Sequence, residues 1–239
     1  MFKLSLLELK KIFMNKGIYC GILIACAFSI AIGMQARVAP DSFNSKHVFS
    51  FFASIANLVL IVYASKSLGD EFQLKTSTQL FTSSQSRVKI LAGKILSLIL
   101  LAVILGIISG AILVVFKFIL KEEISLMIGL RDIWTQIYTY SIYAFVIGSF
   151  SLLVTTFNFN TTSTMVTTLG VFWIAPNIIS LVIDRFPQAE TLLRMLPFYS
   201  ADALTSYHDI TITALAILII FGAAVFVSNV KIISKVDLR

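Results

Sequence analysis

Six stretches of the chain are continuously apolar and long enough to cross a bilayer as helices, at roughly 20 residues each or slightly fewer. None of them contains Asp, Glu, Lys, Arg or His. Strands of a membrane barrel would alternate apolar and polar side chains over about ten residues, which these stretches do not. The pattern therefore predicts an all-α membrane protein with a six-transmembrane-helix bundle. The predicted spans are residues 18–36, 48–65, 95–116, 134–157, 164–183 and 210–230.

The overall composition supports the same fold class. Of the 239 residues, 58% are hydrophobic and 13% are charged, which is too little polar surface to cover a soluble globule. The connections between spans are mostly short, and none has the length and polarity of a separate aqueous domain. We therefore expect a single transmembrane domain, residues 1–239, in which the first span is retained and is not a cleaved signal peptide.

The basic residues favour one orientation of this domain in the membrane. Six spans place both termini, residues 66–94 and the turn at 158–163 on one side, which carries 12 of the 19 Lys and Arg residues. The positive-inside rule makes this side cytoplasmic, so we expect a multi-pass plasma-membrane protein with cytoplasmic N- and C-termini. Basic flanks of this kind attract anionic membrane lipid, and they account for the net charge of +7 without nucleic-acid binding.

Two segments on the expected cytoplasmic side could contact a partner protein. In residues 1–16, apolar residues recur at helical spacing opposite lysines, which predicts an amphipathic interfacial helix, although a plain basic flank is the alternative. Residues 66–94 form the longest and most polar connection, either a solvated loop or a coupling loop. There, Gly69 and Asp70 are expected to end the second span and cap a short helix from about Glu71.

Polar side chains gather around the short turn between the fourth and fifth spans. They could line a translocation path, or they could hydrogen-bond between helices and hold the bundle together. The candidates for the path are Thr156, Asn158, Thr164 and Thr168.

Prolines and glycines in the spans predict where helices bend or approach closely. Pro176 should kink the fifth span, and the following residues 184–209 are too apolar for a free loop but too short to span. We expect them to form a re-entrant or interfacial outer hairpin before the sixth span. Gly106 and Gly110 have the spacing that lets helices pack closely, either within one subunit or across a dimer.

No catalytic, cofactor-binding or metal-binding motif is evident. The sequence lacks H-E-x-x-H and G-x-x-x-x-G-K-[ST], and Cys20 and Cys26 lie on largely different faces of the first span. We therefore expect no enzyme activity, no cofactor and no metal site. Spans without ionisable residues also argue against ion-gradient coupling, so active transport would draw its energy from another subunit. A self-contained channel or facilitator and a non-transporting assembly or sensor subunit are the alternatives.

These features together resemble the permease subunits of ABC-2 type exporters, the type V exporter fold. The resemblance covers the layout of the whole chain and is most specific in residues 66–94. Members of the family typically carry there an acid, a Gly-Thr, a Pro-x-Ser-Arg and a Lys entering the third span. Lys75 and Ser84 stand where the family usually has Gly and Pro. The residues that carry the resemblance are Glu71, Thr76, Leu80, Ser86, Arg87 and Lys94.

The resemblance implies partners and a mode of action. Such permeases work in pairs, as homodimers or heterodimers, above two copies of an ABC ATPase whose closure moves an amphipathic substrate outward. A short chain without a large outer domain is similar to exporters of antimicrobial or cytolytic peptides in lantibiotic-immunity and bacitracin-resistance systems. The residues implied in coupling to the ATPase are Asp70, Glu71, Lys75, Thr76, Ser86 and Arg87.

Overall fold

The structure, a computed structural model, describes residues 2–40, 42–76, 86–122, 125–206 and 211–235. These residues contain helices and turns but no strand. Six helical segments among them are long and apolar enough to cross a membrane. The predicted all-helical class and the predicted number of six apolar helices are therefore confirmed, whereas the boundaries of the spans in the membrane stay a prediction.

Ten α-helices make up the described part of the chain. In chain order they are α1 Phe2–Met14, α2 Lys16–Val38, α3 Ser45–Gln73, α4 Arg87–Ile119, α5 Leu126–Asn158, α6 Thr161–Leu169, α7 Ala175–Arg185, α8 Glu190–Leu193, α9 Pro197–Ser206 and α10 Ile212–Lys235. The first four spans are α2, α3, α4 and α5, and the sixth is α10. A π-helical turn, Gly170–Ile174, joins α6 and α7 into the fifth span, Thr161–Arg185.

Successive spans run in opposite directions, which sorts the helix ends into two groups. One group comprises α1, the end of α3, the start of α4, the turn between α5 and α6, and the end of α10. We refer to it as the α1 end of the bundle. The other group lies at the α9 end, together with the short helices α8 and α9.

The second span, α3, forms the centre of the bundle. In its most apolar window 72% of the residues are buried, against 22% in α2 and in α10 and 17% in the fifth span. It packs against α2, α4, α5 and α6, with Phe52 and Leu60 fully enclosed. The peripheral spans therefore keep broad apolar faces that lipid or another subunit can cover.

The α4 and α5 helices approach each other closely at two glycines of α4. A Cβ atom at Gly106 would lie 2.8 Å from the Cα of Ile137, and one at Gly110 would lie 2.8 Å from the Cα of Ile133. Because backbone atoms fill the space that a side chain would need, the glycines set the distance between the helices. This close packing lies within one subunit.

The prediction that Gly69 and Asp70 end the second span is wrong, because α3 continues through them to Gln73. Gly69 serves instead as a contact point with α6, since a Cβ atom there would lie 2.8 Å from the Cα of Thr161. The Thr161 hydroxyl donates to Asp70 Oδ1 at 3.0 Å. Packing and this hydrogen bond outweigh the loss of about 1 kcal/mol that glycine brings to a helix.

The segment predicted as a loop, residues 66–94, is consequently divided. Residues 66–73 belong to α3 and residues 87–94 to α4. Residues 77–85, which include Ser84, lie outside the described residues.

Pro176 interrupts the fifth span through a π-helical turn. The Ala175 N–H donates to the carbonyl of Gly170, five residues earlier, and Asn177 Nδ2 donates to the carbonyl of Trp173 at 2.6 Å. Since proline has no N–H to continue the ladder, the side-chain amide and the wider turn supply hydrogen bonds that a regular helix would lack.

The segment after the fifth span packs onto the α9 end of the bundle. Its longest helix, α9, lies against α3, α5, α7 and α10 and buries Ala201, Leu204 and Thr205. These contacts account for the apolar residues of α9, whereas Phe186 and Leu192 before it are exposed. The depth of this hairpin in the membrane stays a prediction.

Candidate functional site

The first helix is fixed to the bundle by only part of its apolar surface. It packs across the start of α4, where Leu4 fills the space beside Gly93. Leu9 and Phe13 pack against the core, whereas Phe2 is 61% exposed. The predicted apolar stripe is therefore split between the bundle and a face that is free to meet lipid or protein. Placement of α1 in the membrane surface stays a prediction.

Four charged side chains from α1, α3 and α4 meet beneath the first helix. Lys94 Nζ lies 2.8 Å from Glu71 Oε1 and 3.4 Å from Glu8 Oε1. It also donates to the backbone carbonyl of Ser67. Lys11 Nζ lies 3.6 Å from the same Glu71 oxygen. We refer to Glu8, Lys11, Glu71 and Lys94 as the Lys94 cluster.

Because Lys94 and Glu71 are buried, the stability of the Lys94 cluster depends on all four of its side chains. The side chain of Lys94 is fully buried and that of Glu71 is 8% exposed, whereas Lys11 is 59% exposed. A buried ammonium or carboxylate is tolerated only when a partner of opposite charge and hydrogen bonds replace water. The two acids and two bases balance each other, so the position of α1 is electrostatically tied to α3 and α4.

A cavity of about 130 Å³ opens beside the cluster. Glu8 and Lys11 contribute to its wall from α1, and Lys66 and Asp70 contribute from α3. Its walls carry both signs of charge, so it is suited to a polar side chain and not to an apolar ligand.

The residues just after α3 form a regular helix-ending turn. The Lys75 N–H donates to the carbonyl of Phe72 at 3.1 Å, and the Thr76 N–H donates to that of Glu71 at 2.9 Å. This is the Schellman arrangement, in which Lys75 takes the left-handed position with φ 56°. Glycine is the usual residue at that position, so Lys75 preserves the turn of the family pattern at a cost in strain.

Substituting Lys75→Gly is expected to stabilise the protein by up to about 1 kcal/mol, because glycine adopts positive φ without the Cβ clash. Thermal unfolding in a single detergent should show the melting temperature rising by about 2–4 °C. Lys231→Gly, the same change inside the right-handed helix α10, is the matched control and should lower it. A lower melting temperature for Lys75→Gly would contradict the strain argument.

The two other implied coupling residues lie at the start of α4 and contact α4 itself and α10. Ser86 caps the helix by accepting a hydrogen bond from the Lys89 N–H at 3.4 Å. The Arg87 guanidinium donates to the carbonyl of Ile233 in the last turns of α10. A cation at a helix C-terminus is favourable, so Arg87 ties α4 to α10.

The six implied coupling residues thus lie at the same end of the bundle but make four sets of contacts. Glu71 belongs to the Lys94 cluster, Asp70 contacts Thr161, and Lys75 and Thr76 form the turn. Ser86 and Arg87 make the fourth set, with the first turn of α4 and with α10. The sequence pattern did not predict that Glu8 and Lys11 belong to the Lys94 cluster. One available signal was that Glu8 is the sole acidic residue among residues 1–16.

The polar residues of α5 and α6 form a ladder of hydroxyl groups inside the subunit. Thr155 donates to Thr164 at 3.1 Å, and the hydroxyls of Ser151 and Thr168 lie 3.2 Å apart. Thr164 and Thr168 are fully buried. These contacts correspond to interhelical hydrogen bonding of the kind that stabilises membrane bundles.

The remaining candidates for a translocation path lie elsewhere. The Thr156 hydroxyl is buried against α10, 2.8 Å from Asn229 Oδ1. Asn158 is exposed at the turn and donates to the Ser163 hydroxyl at 3.1 Å. The structure therefore brings Thr164 and Thr168 together but not Thr156 or Asn158, and a role in translocation stays a prediction.

The described residues contain no group of three or more His, Cys, Asp or Glu side chains placed to hold a metal ion. Cys20 and Cys26 are free thiols.

A family model described as ABC-2 family transporter protein matches residues 5–183, which extend from α1 into α7 and include the Lys94 cluster. A search of the curated proteins gives no match.

Proposed function

The chain belongs to the ABC-2 family of transporter proteins, and we propose that it is the permease subunit of an exporter driven by ATP hydrolysis in a separate subunit. Family membership makes the chain a multi-pass membrane component of an ABC transporter, and such components typically work with an ABC ATPase. The outward direction of transport, its dependence on ATP and the nature of the substrate belong to the proposal.

The Lys94 cluster is the observation that carries the proposal. A partner that displaces α1 must either break buried ion pairs or move α3 and α4 together with it, and breaking such pairs costs several kcal/mol. Since α3 is the central helix of the bundle, movement of α1 would be passed to the core. The cluster therefore supports a role for the α1 end in receiving mechanical work.

We place the ATPase at the α1 end of the bundle and propose that this end faces the cytoplasm, because it carries the excess of basic residues. The exposed residues available for contact include Lys3 and Lys10 on α1 and Lys75 after α3. In this arrangement Glu71 and Asp70 hold the end of α3 in place behind the contact surface. Two copies of the ATPase would serve two permease subunits.

The little-buried outer spans support a second permease subunit, identical or related to this one. Part of the exposed apolar surface of α2, of the fifth span and of α10 would be covered by that subunit and the rest by lipid. An amphipathic substrate, such as an antimicrobial or cytolytic peptide, would cross between the two subunits. The uncharged spans suit such a substrate, because they offer apolar and hydroxyl groups without fixed charge.

Co-purification after mild detergent extraction tests this function. We expect an ATPase with a Walker motif to accompany the permease, and proteoliposomes containing both to move substrate only when ATP is supplied. An ATPase with its catalytic base removed is the control. Recovery of the permease alone, or flux that does not need ATP, would favour a self-contained channel or facilitator.

A further inference from the structure

A second polar cavity, of about 260 Å³, lies at the opposite, α9 end of the bundle. Ser50 and Ser54 of α3 line one wall, and Trp173 and Asn177 of the fifth span line another. The third wall belongs to α9. The cavity is thus formed where the central helix, the interrupted span and the outer hairpin meet, apart from the Lys94 cluster.

The charged group of this cavity is Asp202 of α9. Its nearest described polar partner is the Ser206 hydroxyl, 3.5 Å from Oδ1, which is a weak contact. Burial raises the pKa of the Asp202 carboxyl to about 6, and the Ser206 hydroxyl opposes this only in part. No cationic side chain of the described residues makes an ion pair with Asp202. At neutral pH the cavity therefore holds a largely ionised carboxylate that has no counter-ion among the described residues.

The other walls fit an organic cation better than a metal ion. Trp173, 41% exposed, and Tyr199 supply aromatic surface, which attracts ammonium and guanidinium groups. A divalent metal usually takes several oxygen ligands, whereas Asp202 is the one carboxylate among the described residues that line this cavity. An apolar ligand would leave the carboxylate uncompensated.

The backbone around Trp173 is built in a way that fixes the aromatic wall. Trp173 belongs to the π-helical turn, and its carbonyl accepts the 2.6 Å hydrogen bond from Asn177. π-Helical turns within α-helices are frequent at functional sites. This irregularity therefore points to the same cavity as the buried Asp202 carboxylate does.

We propose that this cavity binds the ammonium or guanidinium group of an amphipathic compound, with Asp202 as counter-ion and Trp173 and Tyr199 as aromatic walls. The same chemistry is present in the amine headgroup of phosphatidylethanolamine. That the bound compound is a transported substrate rests on the proposed function, whereas binding itself does not.

Fluorescence of Trp173 provides a direct binding assay. The chain has two tryptophans, so Trp134→Phe leaves Trp173 as the sole reporter. We expect benzyltrimethylammonium to change its emission saturably in nanodiscs made of phosphatidylglycerol, and the uncharged isostere neopentylbenzene to bind at least about tenfold more weakly. Equal affinity for the two compounds would overturn the proposal.

Variants of Asp202 identify the counter-ion. Asp202→Asn should weaken binding of the cation about tenfold or more, and Asp202→Glu should retain most of it. Asp184→Asn, which removes an exposed carboxylate of α7 at the same end, is the matched control and should bind as the parent does. Unchanged binding in Asp202→Asn would overturn the proposal.

The pH dependence follows from the same group. Binding should be strong above pH 7 and fall as the pH drops through about 6, because protonation removes the counter-charge. Tyr143 of α5 and Tyr199 of α9 are the described titratable groups that face the cavity or Asp202, and phenols do not ionise in this range. Lining groups from α3 and the fifth span are hydroxyls, an amide and the indole. Binding that is constant between pH 5 and 7.5 would contradict the assignment to Asp202.

Lipid composition distinguishes the two sources of the cation. If a lipid amine occupies the cavity, nanodiscs containing phosphatidylethanolamine should lower the apparent affinity for benzyltrimethylammonium, and Asp202→Asn should abolish that difference. If the affinity is the same in both lipids, the cavity is reserved for a free amphipathic cation. These binding assays contain no ATPase and do not depend on transport. If the cation binds but proteoliposomes containing the ATPase show no ATP-driven transport, the result would count against the proposed function and not against the binding site.

Discussion

Substituting Lys94→Met is expected to abolish ATP-driven transport and to destabilise the subunit by about 3–5 kcal/mol. Methionine has nearly the volume of the lysine stem but leaves the Glu71 carboxylate buried without its 2.8 Å partner. The Glu8 carboxylate loses a partner as well, so α1 should separate from α3 and α4. Thermal unfolding in detergent measures the loss of stability, and substrate movement in proteoliposomes containing the ATPase measures the loss of transport.

A double variant separates stability from coupling. Glu71→Leu with Lys94→Met replaces the buried ion pair by apolar side chains, a change that is often neutral or stabilising. We expect its free energy of unfolding to lie within about 1 kcal/mol of that of the parent protein. Transport should still be lost, because charge no longer ties α1 to the core. Lys89→Met, which removes an exposed lysine from the same end of α4, is the control and should transport normally.

Full transport by the stable double variant would show that the Lys94 cluster serves packing alone. In that event the coupling function would have to lie in another contact at the α1 end. Arg87 would then be the first residue to test, because its hydrogen bond to the Ile233 carbonyl joins α4 to α10 independently of the cluster.

The spans were predictable from the sequence because the bilayer sets their length and excludes charge from them. Their ends were less predictable, since tertiary contacts decide where a helix stops. Gly69 and Asp70 have the local chemistry of a helix end, yet α3 continues because Thr161 packs on the glycine and bonds to the aspartate. Lys75 shows the converse, since its left-handed turn follows the family pattern without the glycine that usually permits it.

The candidate site was predictable in place but not in composition. Glu71 was identified through the family pattern, and the Lys94 side chain was expected only to enter the third span. The pairing of Lys94 with Glu8 depends on α1 folding back across α4, a contact between residues 86 positions apart. No local periodicity encodes such a distance. Asp202 was missed for a related reason, because its burial results from the packing of α9 against four other helices.

The shared interface of α4 and α5 gives the second large effect. Gly106→Ala is expected to destabilise the subunit by about 1–3 kcal/mol, and Gly106→Val by more, because the new Cβ atom would lie 2.8 Å from the Cα of Ile137 and 3.0 Å from the carbonyl oxygen of Gln136. Backbone atoms of α5 cannot rotate away as a flexible side chain can. The two helices would have to separate along a contact that also includes Gly110.

Gly170 is the matched control for this substitution. It is also a helical glycine, in the fifth span, but a Cβ atom there would meet nothing within 4 Å among the described residues. Gly170→Ala should therefore leave the unfolding temperature unchanged or raise it slightly, since alanine is the better helix former. Equal stability of Gly106→Ala and Gly170→Ala would contradict the close packing of α4 on α5.

The same variants distinguish packing inside a subunit from packing between subunits. If Gly106 lay at a dimer seam, Gly106→Ala would weaken association of the permease pair, and the melting temperature of the dissociated subunit would not change. The structure predicts the opposite result, a less stable subunit whose dimer affinity changes only as far as its folding does. Measuring unfolding and dimer dissociation in the same detergent, across a range of protein concentrations, resolves the two cases, because only association depends on concentration.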